Sequence, residues 1–439
     1  MTDRPKRNVT LKAYADPAFL PLATAFVENA AVGLGLQKSR ALSLTLATEE
    51  IFSYLCKTST PENAIEIECT SGGYYVQAAF VFSVEDFNMH AFNLTTTISV
   101  DDETSLDEMG LLIASRAVDR FEILEEKEDG LRLLLIKEKD YPPLDRAPAI
   151  GARPLEAFTI RDVESEELKI FSLLVNQYYR QKITPDFFKY PGKLVDMVKG
   201  GNYKAALAVG KDGHVGGGMV WRFRSDRLVE CYGPYLFNQG LNASMGTGLV
   251  EKCLEAIART HAVGLMNQFP TDDLPEDYFE AVGAVHLHSK DGATVFQDIY
   301  FRHLQEDPGA SLWVHPRLQD FLLKACDELV LPREIQLVTD RGESRSRFSV
   351  LAARFNRAQN RVFLRPMRFG TDFHENIVNY LRLFSRESIR NVFFVMDLAV
   401  FWQAHFTPAL LDNGFEPQLV LPYGGKGDLV VFQLKGPQQ

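Results

Sequence analysis

Apolar and polar positions follow two different periods along the chain, and the changes between them mark the elements of three blocks. In the first block, apolar residues recur near the 3.6-residue helical period or alternate as in strands, and Gly72-Gly73 and Asp129-Gly130 mark turns between strands. The pattern predicts, in order, helices over 17–32 and 38–56, strands over 64–69 and 74–84, a helix over 105–119 and a hairpin over 121–138.

The second block predicts the element order β-α-β-β-β-α-β-α-β. The last helix of that order is expected over 275–282, the segment PEDYFEAV. The third block predicts a helix, three strands, a helix, a strand, a short helix and two strands. The third block resembles the back half of the second block, which indicates an internal repeat at the level of the fold.

Two segments rich in turn residues separate the blocks. Residues 141–148 contain three prolines, which interrupt helices and strands alike, and residues 305–310 form a polar joint. The predicted fold class is α+β, or mixed α/β, because helices and largely antiparallel strands alternate in each block. The predicted domains are 1–148, 155–305 and 312–437.

Composition and charge narrow the classes of function. The chain has 439 residues and a formal net charge of −11, which argues against nucleic acid held by bulk charge. The chain has no stretch of 18 apolar residues without a charge, so no membrane span is predicted. The N-terminus lacks the apolar core of a secretory signal. Five cysteines without a paired motif are typical of a reducing compartment, so we expect a cytoplasmic protein without a membrane partner.

The most specific chemical signal is the segment Ala243–Gly248 in block two. It lies between a predicted strand and a helix, where main-chain N–H groups and the helix dipole favour a diphosphate. The block resembles the GNAT acetyltransferase family from Phe158 to about Leu304. The family's turn reads Q/R-x-x-G-x-G/A, and YFEAVGAV is similar to its Y-x-x-x-G-F signature, with Gly283 on the glycine.

The resemblance implies an acetyl-CoA site. The coenzyme's pantetheine arm would pair with the strand that ends in PYLF, and its diphosphate would bind main-chain N–H groups of the turn. The implied cofactor-binding residues are Tyr235, Leu236, Met245, Gly246, Thr247, Gly248 and Leu249. The sequence departs from the family at Ala243, which stands at the Q/R position.

Two residues are candidates for catalysis. Glu230, on the strand that faces the reaction centre in the family, would deprotonate the incoming amine, or it is a solvated or ion-paired strand residue. Tyr278 would protonate the leaving thiolate. The family's tyrosine position is occupied by Phe279, so Tyr278 is shifted by one residue, about 100° on a helix.

The third block resembles a second, truncated GNAT unit. Its segment from Leu410 to Leu434 is similar to the family's ending, with Gly414 and Phe415 on the G-F pair. Its helix-opening turn, residues 368–373, has a single glycine, Gly370, and an acid, Asp372. Such a turn suits a diphosphate poorly. The resemblance therefore implies an inactive, structural unit.

The first block resembles the GHKL ATP-binding fold of anti-sigma-factor serine kinases, as an α/β sandwich with eroded motifs. Glu49 and Ser53 stand at the glutamate and asparagine of the N-box, Asp86 at the adenine-binding aspartate, and Gly110 at the closing glycine motif. The resemblance implies a degenerate ATP/Mg site. The alternative is a former ATP site that now serves dimerisation or partner docking.

The function expected from these observations is acyl transfer from acetyl-CoA to an amine, with an N-terminal regulatory module. The acceptor is a small-molecule amine or a protein, and a regulatory protein or a homodimer is the expected assembly. Two alternatives stay open: an ATP-binding anti-sigma-type serine kinase or regulator, and a non-catalytic regulatory scaffold.

Overall fold

A computed structural model describes most of the chain, and its contacts divide it into two compact units. The described residues are 7–83, 93, 110–111, 113–125, 130–144, 151–153, 155–180, 184–237, 242–288, 294–339, 342, 345–356 and 360–436. Unit 1 comprises Met1–Asp140, Glu343–Asn356 and Val362–Ile389, and unit 2 comprises Tyr141–Gly342, Arg357–Arg361 and Arg390–Gln439. The predicted third block is thus shared between the units. The three domain boundaries drawn from the sequence stay a prediction.

Both units are mixed α/β, which confirms the coarse fold class; a GHKL-like sandwich followed by two GNAT-like units stays a prediction. The strands are β1 Asn8–Tyr14, β2 Ala64–Ser71, β3 Tyr75–Ser83, β4 Arg120–Glu125, β5 Gly130–Glu138, β6 Phe158–Asp162, β7 Lys204–Gly210, β8 Val215–Phe223, β9 Leu228–Leu236, β10 Gly264–Asn267, β11 Glu280–His288, β12 Thr294–His303, β13 Ala310–Val314, β14 Arg333–Leu337, β15 Val350–Asn356, β16 Arg361–Arg368, β17 Asn391–Asp397, β18 Phe415–Leu421 and β19 Leu429–Leu434. The α-helices among the described residues are α1 Leu20–Gly33, α2 Lys38–Thr58, α3 Ser165–Tyr178, α4 Pro191–Lys199, α5 Asn242–Ile257, α6 Gln319–Glu328, α7 Phe373–Arg386 and α8 Thr407–Asp412.

Unit 1 contains a five-stranded antiparallel sheet in the order β1-β2-β3-β5-β4. Along β2, Ile65, Ile67 and Cys69 are buried and alternate with less buried residues, so one face of the sheet carries the core. Helices α1 and α2 contribute Val27 and Phe52 to the same core. This arrangement is an α/β sandwich, and its likeness to the GHKL fold stays a prediction.

The side chain of Asn93 holds the segments of unit 1 that are distant in sequence. Its Nδ2 donates to the carbonyl of Ser349 at 2.7 Å, and its Oδ1 accepts from the N–H of Leu351 at 3.0 Å. Asn376 of α7 donates to the same Oδ1 at 3.1 Å. Because all three groups are buried, each hydrogen bond satisfies a polar atom that water does not reach.

Unit 2 contains a seven-stranded sheet in the order β11-β12-β10-β9-β8-β7-β6. The pairings are antiparallel except for β9 with β10, which are parallel. Helix α5 provides the connection between β9 and β10, as a parallel pair requires. Its residues Met245, Leu249 and Cys253 are buried against the sheet.

Side-chain amides join β11 to the C-terminal strands of unit 2, which lie in the order β17-β19-β18. Gln433 accepts from the N–H of His286 at 3.0 Å and donates to the carbonyl of the same residue. Asn391 accepts from the N–H of His288 at 2.7 Å and donates to its carbonyl at 2.9 Å. Each amide therefore imitates one step of a β-ladder.

The joint predicted at 305–310 is held by a buried ionic cluster. Arg333 contacts Asp428 through Nε at 2.6 Å and Asp307 through Nη1 at 2.9 Å, and its side chain is fully buried. Tyr423 donates a hydrogen bond to Asp307. Because the guanidinium has two carboxylates, its charge is compensated within the fold.

Most predicted elements are confirmed, with three informative differences. The helix predicted over 275–282 is wrong: only Glu276–Tyr278 form a short 3-10 turn, and β11 begins at Glu280. Strands β1 and β13 and helix α4 were not predicted. The helix expected over 105–119 is seen as helical residues at 110–111 and 113–117; residues 118–119 form a bend, and 105–109 and 112 lie outside the described residues.

Val330 provides a test of local backbone strain. It follows α6 with a φ of 51° and is 78% exposed. The N–H of Leu331 donates to the carbonyl of Cys326 at 2.8 Å, the hydrogen bond of a Schellman cap, in which glycine is favoured at the preceding position. A β-branched residue there is strained, so we expect Val330→Gly to raise the unfolding free energy by about 1 kcal/mol.

Denaturant unfolding measures this change. The matched control is Val295→Gly in β12, where glycine weakens a strand and should destabilise the protein. A loss of stability in both variants would contradict a strained Val330.

Candidate functional site

Strands β9 and β10 diverge in the centre of unit 2, and the divergence defines the candidate site. Their parallel pairing runs from Leu228↔Gly264 to Cys231↔Asn267 and stops there. Strand β9 continues for five more residues, to Leu236, without β10 beside it. The backbone groups on that edge need other partners because buried N–H and C=O groups are almost always hydrogen-bonded. We call the β9 edge beyond Cys231 the β9–β10 opening.

Side chains of unit 2 fill this opening. Asn267 Nδ2 donates to the carbonyl of Gly233 at 2.7 Å, and Thr271 Oγ1 donates to the carbonyl of Pro234 at 2.5 Å. The N–H of Leu236 donates to the hydroxyl of Tyr179 at 2.7 Å. Three main-chain groups of the edge are therefore satisfied by the chain itself.

The segment 268–275, which follows β10, lies across the opening, and we call it the strap. Tyr179 donates to Oδ2 of the strap residue Asp273 at 2.6 Å. Burial, followed by this hydrogen bond, raises the pKa of Tyr179 well above its usual range, so the phenol stays protonated and donates. The carbonyl oxygen of Asp273 would lie 3.0 Å from a Cβ on Gly246, so the strap passes close to α5.

Helix α5 begins earlier than the glycine-bearing turn of the sequence prediction. It starts at Asn242, and only the first four N–H groups of a helix lack acceptors within it. The N–H groups of Gly246, Thr247, Gly248 and Leu249 lie beyond that first turn.

Several of these residues also pack rather than face solvent. Met245, Gly246 and Leu249 are buried, and a Cβ on Gly248 would lie 2.7 Å from Ile160. Glycine at 248 thus allows α5 to approach β6 closely. The side chain of Ser244, in the first turn, is exposed. The predicted diphosphate contacts of residues 245–249 stay a prediction.

Tyr235 and Leu236 lie on the diverging part of β9. Leu236 belongs to the core that includes α5. Tyr235 packs in an aromatic group with Phe188 at 5.1 Å and Tyr179 at 5.0 Å between ring centroids. Among the described residues, the buried hydroxyl of Tyr235 has no hydrogen-bond partner.

Glu230 is buried on β9 and is paired with two arginines. Arg222 Nη2 lies 2.7 Å from its Oε2, and Arg224 Nη1 lies 3.9 Å from its Oε1. Burial alone would raise the pKa of Glu230, but the attraction of Arg222 and Arg224 outweighs it, so the pKa is lowered. The carboxylate is therefore ionised at neutral pH, which fits the ion-paired alternative and leaves the catalytic role a prediction.

Tyr278 contacts other residues than Glu230 does. Its hydroxyl donates to Glu251 of α5 at 3.1 Å, and this hydrogen bond raises its pKa. The guanidinium of Arg302 lies 4.9 Å from its ring centroid. Phe279, at the family's tyrosine position, is buried in the core. The described contacts thus place Tyr278 against α5, and its role as an acid stays a prediction.

The candidate nucleotide residues of unit 1 are only partly brought together. Glu49 is exposed on α2, Ser53 is half-buried, and Asp86 lies outside the described residues. The carboxylate of Glu50 approaches Gly110 instead, because its Oε2 would lie 2.5 Å from a Cβ there. Burial and the neighbouring Glu49 raise the pKa of Glu50. Sequence reasoning missed Glu50, although it is the neighbour of the predicted residue.

The same reasoning missed the residues that fill the β9–β10 opening. Asn267 ends a strand and Thr271 and Asp273 follow in a polar segment, which is the signal that a sequence offers for side chains that bond to main chain. Tyr179 gave no such signal. The described part of the chain contains no group of three or more metal-ligating side chains, and none of its helices meets the length and apolarity needed to cross a membrane.

Comparison with known proteins gives one kind of match. The chain is similar to GNAT acetyltransferases over about a third of its length. An acetyltransferase of the GNAT family from Staphylococcus aureus Mu50 is 15% identical, with a TM-score of 0.27, over 34% of this chain and 100% of that chain. No protein-family model and no curated protein matches the chain.

Two further solved structures contain a coenzyme. A phosphinothricin acetyltransferase from Sinorhizobium meliloti, in complex with AcCoA, is 17% identical, with a TM-score of 0.26, over 34% of this chain and 90% of that chain. An aminoglycoside 6'-N-acetyltransferase complexed with coenzyme A is 12% identical, with a TM-score of 0.26, over 34% of this chain and 99% of that chain.

Removing Arg222 tests the charge balance around Glu230. Arg222→Met leaves a buried carboxylate with only the longer contact to Arg224. We therefore expect the free energy of unfolding to fall by about 3–5 kcal/mol at pH 7. In the variant, burial raises the pKa of Glu230, and the carboxyl takes up a proton as the pH falls. The difference from the wild-type protein should therefore shrink towards pH 4 in denaturant unfolding.

The matched control is Arg161→Met, which removes a more exposed arginine paired with Glu167. This variant should lower the free energy of unfolding by less than about 1 kcal/mol. Equal losses for the two variants, or a difference independent of pH, would contradict a tightly compensated Glu230.

Removing the hydroxyl of Tyr179 tests how the strap is held. Tyr179→Phe deletes the acceptor of the Leu236 N–H and the donor to Asp273, so we expect amides of 232–236 and 268–275 to exchange with solvent about tenfold faster or more. Hydrogen exchange read by mass spectrometry measures this. The control is Tyr178→Phe, whose hydroxyl accepts from the N–H of Ala152 at 3.0 Å. Unchanged exchange in Tyr179→Phe would contradict the role assigned to the hydroxyl.

Proposed function

We propose that unit 2 transfers an acyl group from acetyl-CoA to an amine. The observation that carries this proposal is the divergence of the parallel strands β9 and β10 after Cys231 and Asn267. A diverging parallel pair presents a strand edge along which an extended, amide-containing arm can pair. The coenzyme as donor follows from the resemblance of Ala243–Gly248 to the GNAT turn.

The donor would use two parts of the site. Its amide-containing arm would lie along the β9–β10 opening, and its diphosphate would meet the first turn of α5, where the helix dipole and N–H groups that have no acceptor within the helix favour an anion. Because Tyr179, Asn267 and Thr271 now bond to the β9 edge, the arm has to replace some of them. Donor binding is therefore expected to displace the strap.

Catalysis would rest mainly on position. Main-chain N–H groups near the thioester carbonyl would stabilise the developing oxyanion, and the opening would hold donor and amine together. Glu230 is the proposed base, and its ionised state, maintained by Arg222 and Arg224, is the state that accepts a proton. Tyr278 is the proposed acid for the leaving thiolate.

A non-catalytic scaffold is the second candidate. The observation that favours it is that Asn267, Thr271 and Tyr179 already satisfy three main-chain groups of the β9 edge with which a coenzyme would pair. The amine or protein acceptor, an assembly as a homodimer or with a regulatory protein, and an ATP/Mg site in unit 1 stay predictions.

Calorimetric titration with acetyl-CoA distinguishes the two candidates. We expect binding by the wild-type protein and an affinity about tenfold lower, or about 1.4 kcal/mol, for Ser244→Glu. The new carboxylate would occupy the first turn of α5 and repel a diphosphate, while its charge suits the helix N-terminus and preserves the fold.

The matched control is Ala256→Glu, which adds the same charge to an exposed position of α5 about 18 Å away by the helical rise. It should bind like the wild-type protein. Absence of binding by the wild-type protein would favour the scaffold, and equal affinities for the two variants would contradict a diphosphate at the start of α5.

A further inference from the structure

Arg361 is a buried arginine of unit 2 that has no carboxylate in contact with it among the described residues. It begins β16 and is 8% exposed. Its Nε is buried without a hydrogen-bond partner, and the guanidinium forms no ion pair among the described residues. Its two terminal nitrogens also form no hydrogen bond among the described residues. Unlike Nε, they are not fully buried, so they keep contact with solvent.

The surroundings of Arg361 do not compensate its charge. The guanidinium carbon lies 5.9 Å from the ring centroid of Phe393, at the outer limit of a cation–π contact. Asp186 attracts it from a distance, but Oδ1 of Asp186 already contacts Lys189 at 2.8 Å. Burial lowers the pKa of Arg361 to about 10, so the group is still a cation at neutral pH.

Arg333, another arginine of unit 2 with a buried side chain, shows what a compensated site contains. Arg333 is fully buried and has the carboxylates of Asp307 and Asp428 within 2.9 Å. A buried charge is costly unless a counter-charge and hydrogen bonds accompany it. At Arg361 the described part of the chain supplies neither, and one end of the guanidinium is open to solvent.

We propose that Arg361 is the anion-binding residue of a ligand site in unit 2, where its two terminal nitrogens take a phosphate or carboxylate group. The planar guanidinium presents parallel N–H donors that match two oxygens of such a group. Since Nε is enclosed, the anion meets the fork end-on, with Phe393 beside it. This inference is independent of acyl transfer at the β9–β10 opening.

The test uses inorganic phosphate and acetate as probes on the full chain. Thermal unfolding is followed at constant ionic strength, with chloride replaced by each probe. We expect at least one probe to raise the unfolding temperature of the wild-type protein, and the response identifies the oxyanion class. In Arg361→Met the apparent dissociation constant should rise about tenfold or more, because a charge-assisted, two-pronged contact is lost.

Two further variants make the result specific. Arg390→Met removes an exposed arginine of the same unit and should respond to the probe as the wild-type protein does. Arg361→Lys keeps the charge without the fork and should bind with intermediate affinity. Without probe, Arg361→Met should be at least as stable as the wild-type protein, because it removes an uncompensated charge. No response of the wild-type protein to either probe, or an equal response of Arg361→Met, would overturn the proposal.

Discussion

The organisation of unit 2 depends on where the edge of β9 finds its hydrogen bonds. Up to Cys231, the neighbouring strand β10 supplies them, and beyond it the side chains of Asn267, Thr271 and Tyr179 do so. A main-chain group buried without a partner costs as much as a lost hydrogen bond. These hydrogen bonds hold the strap and Tyr179, at the end of α3, against the edge of β9. A ligand that pairs with this edge has to offer equivalent donors and acceptors.

Buried charge is the second constraint, and described residues of unit 2 compensate it at Glu230 and Arg333 but not at Arg361. Glu230 is neutralised by Arg222 and Arg224, which keep its pKa low. Arg333 lies between two carboxylates at the joint after the seven-stranded sheet. Arg361 has no such counter-charge among the described residues, which is why it directs attention to an external anion.

Local patterns predicted the elements well where one short-range rule decides the outcome. The β2–β3 pair around Gly72-Gly73 and the helix–strand alternation of block two follow from periodicity and turn residues. PEDYFEAV has helical propensity, but residues from Glu280 pair with β12, so tertiary pairing overrides it. The strap was beyond prediction because its partners, Tyr179 and the β9 edge, are distant in sequence. The sequence identified Glu230 but not Arg222, only eight residues away, because their contact depends on the register of β8 with β9.

The most direct test of the account is hydrogen exchange of unit 2 with and without saturating acetyl-CoA. If the donor pairs with β9 and displaces the strap, amides in 232–236 should become more protected while amides in 268–275 become less protected. This reciprocal pattern is specific to an arm that enters the β9–β10 opening. Unchanged exchange in both segments, or protection of the strap together with β9, would contradict the account.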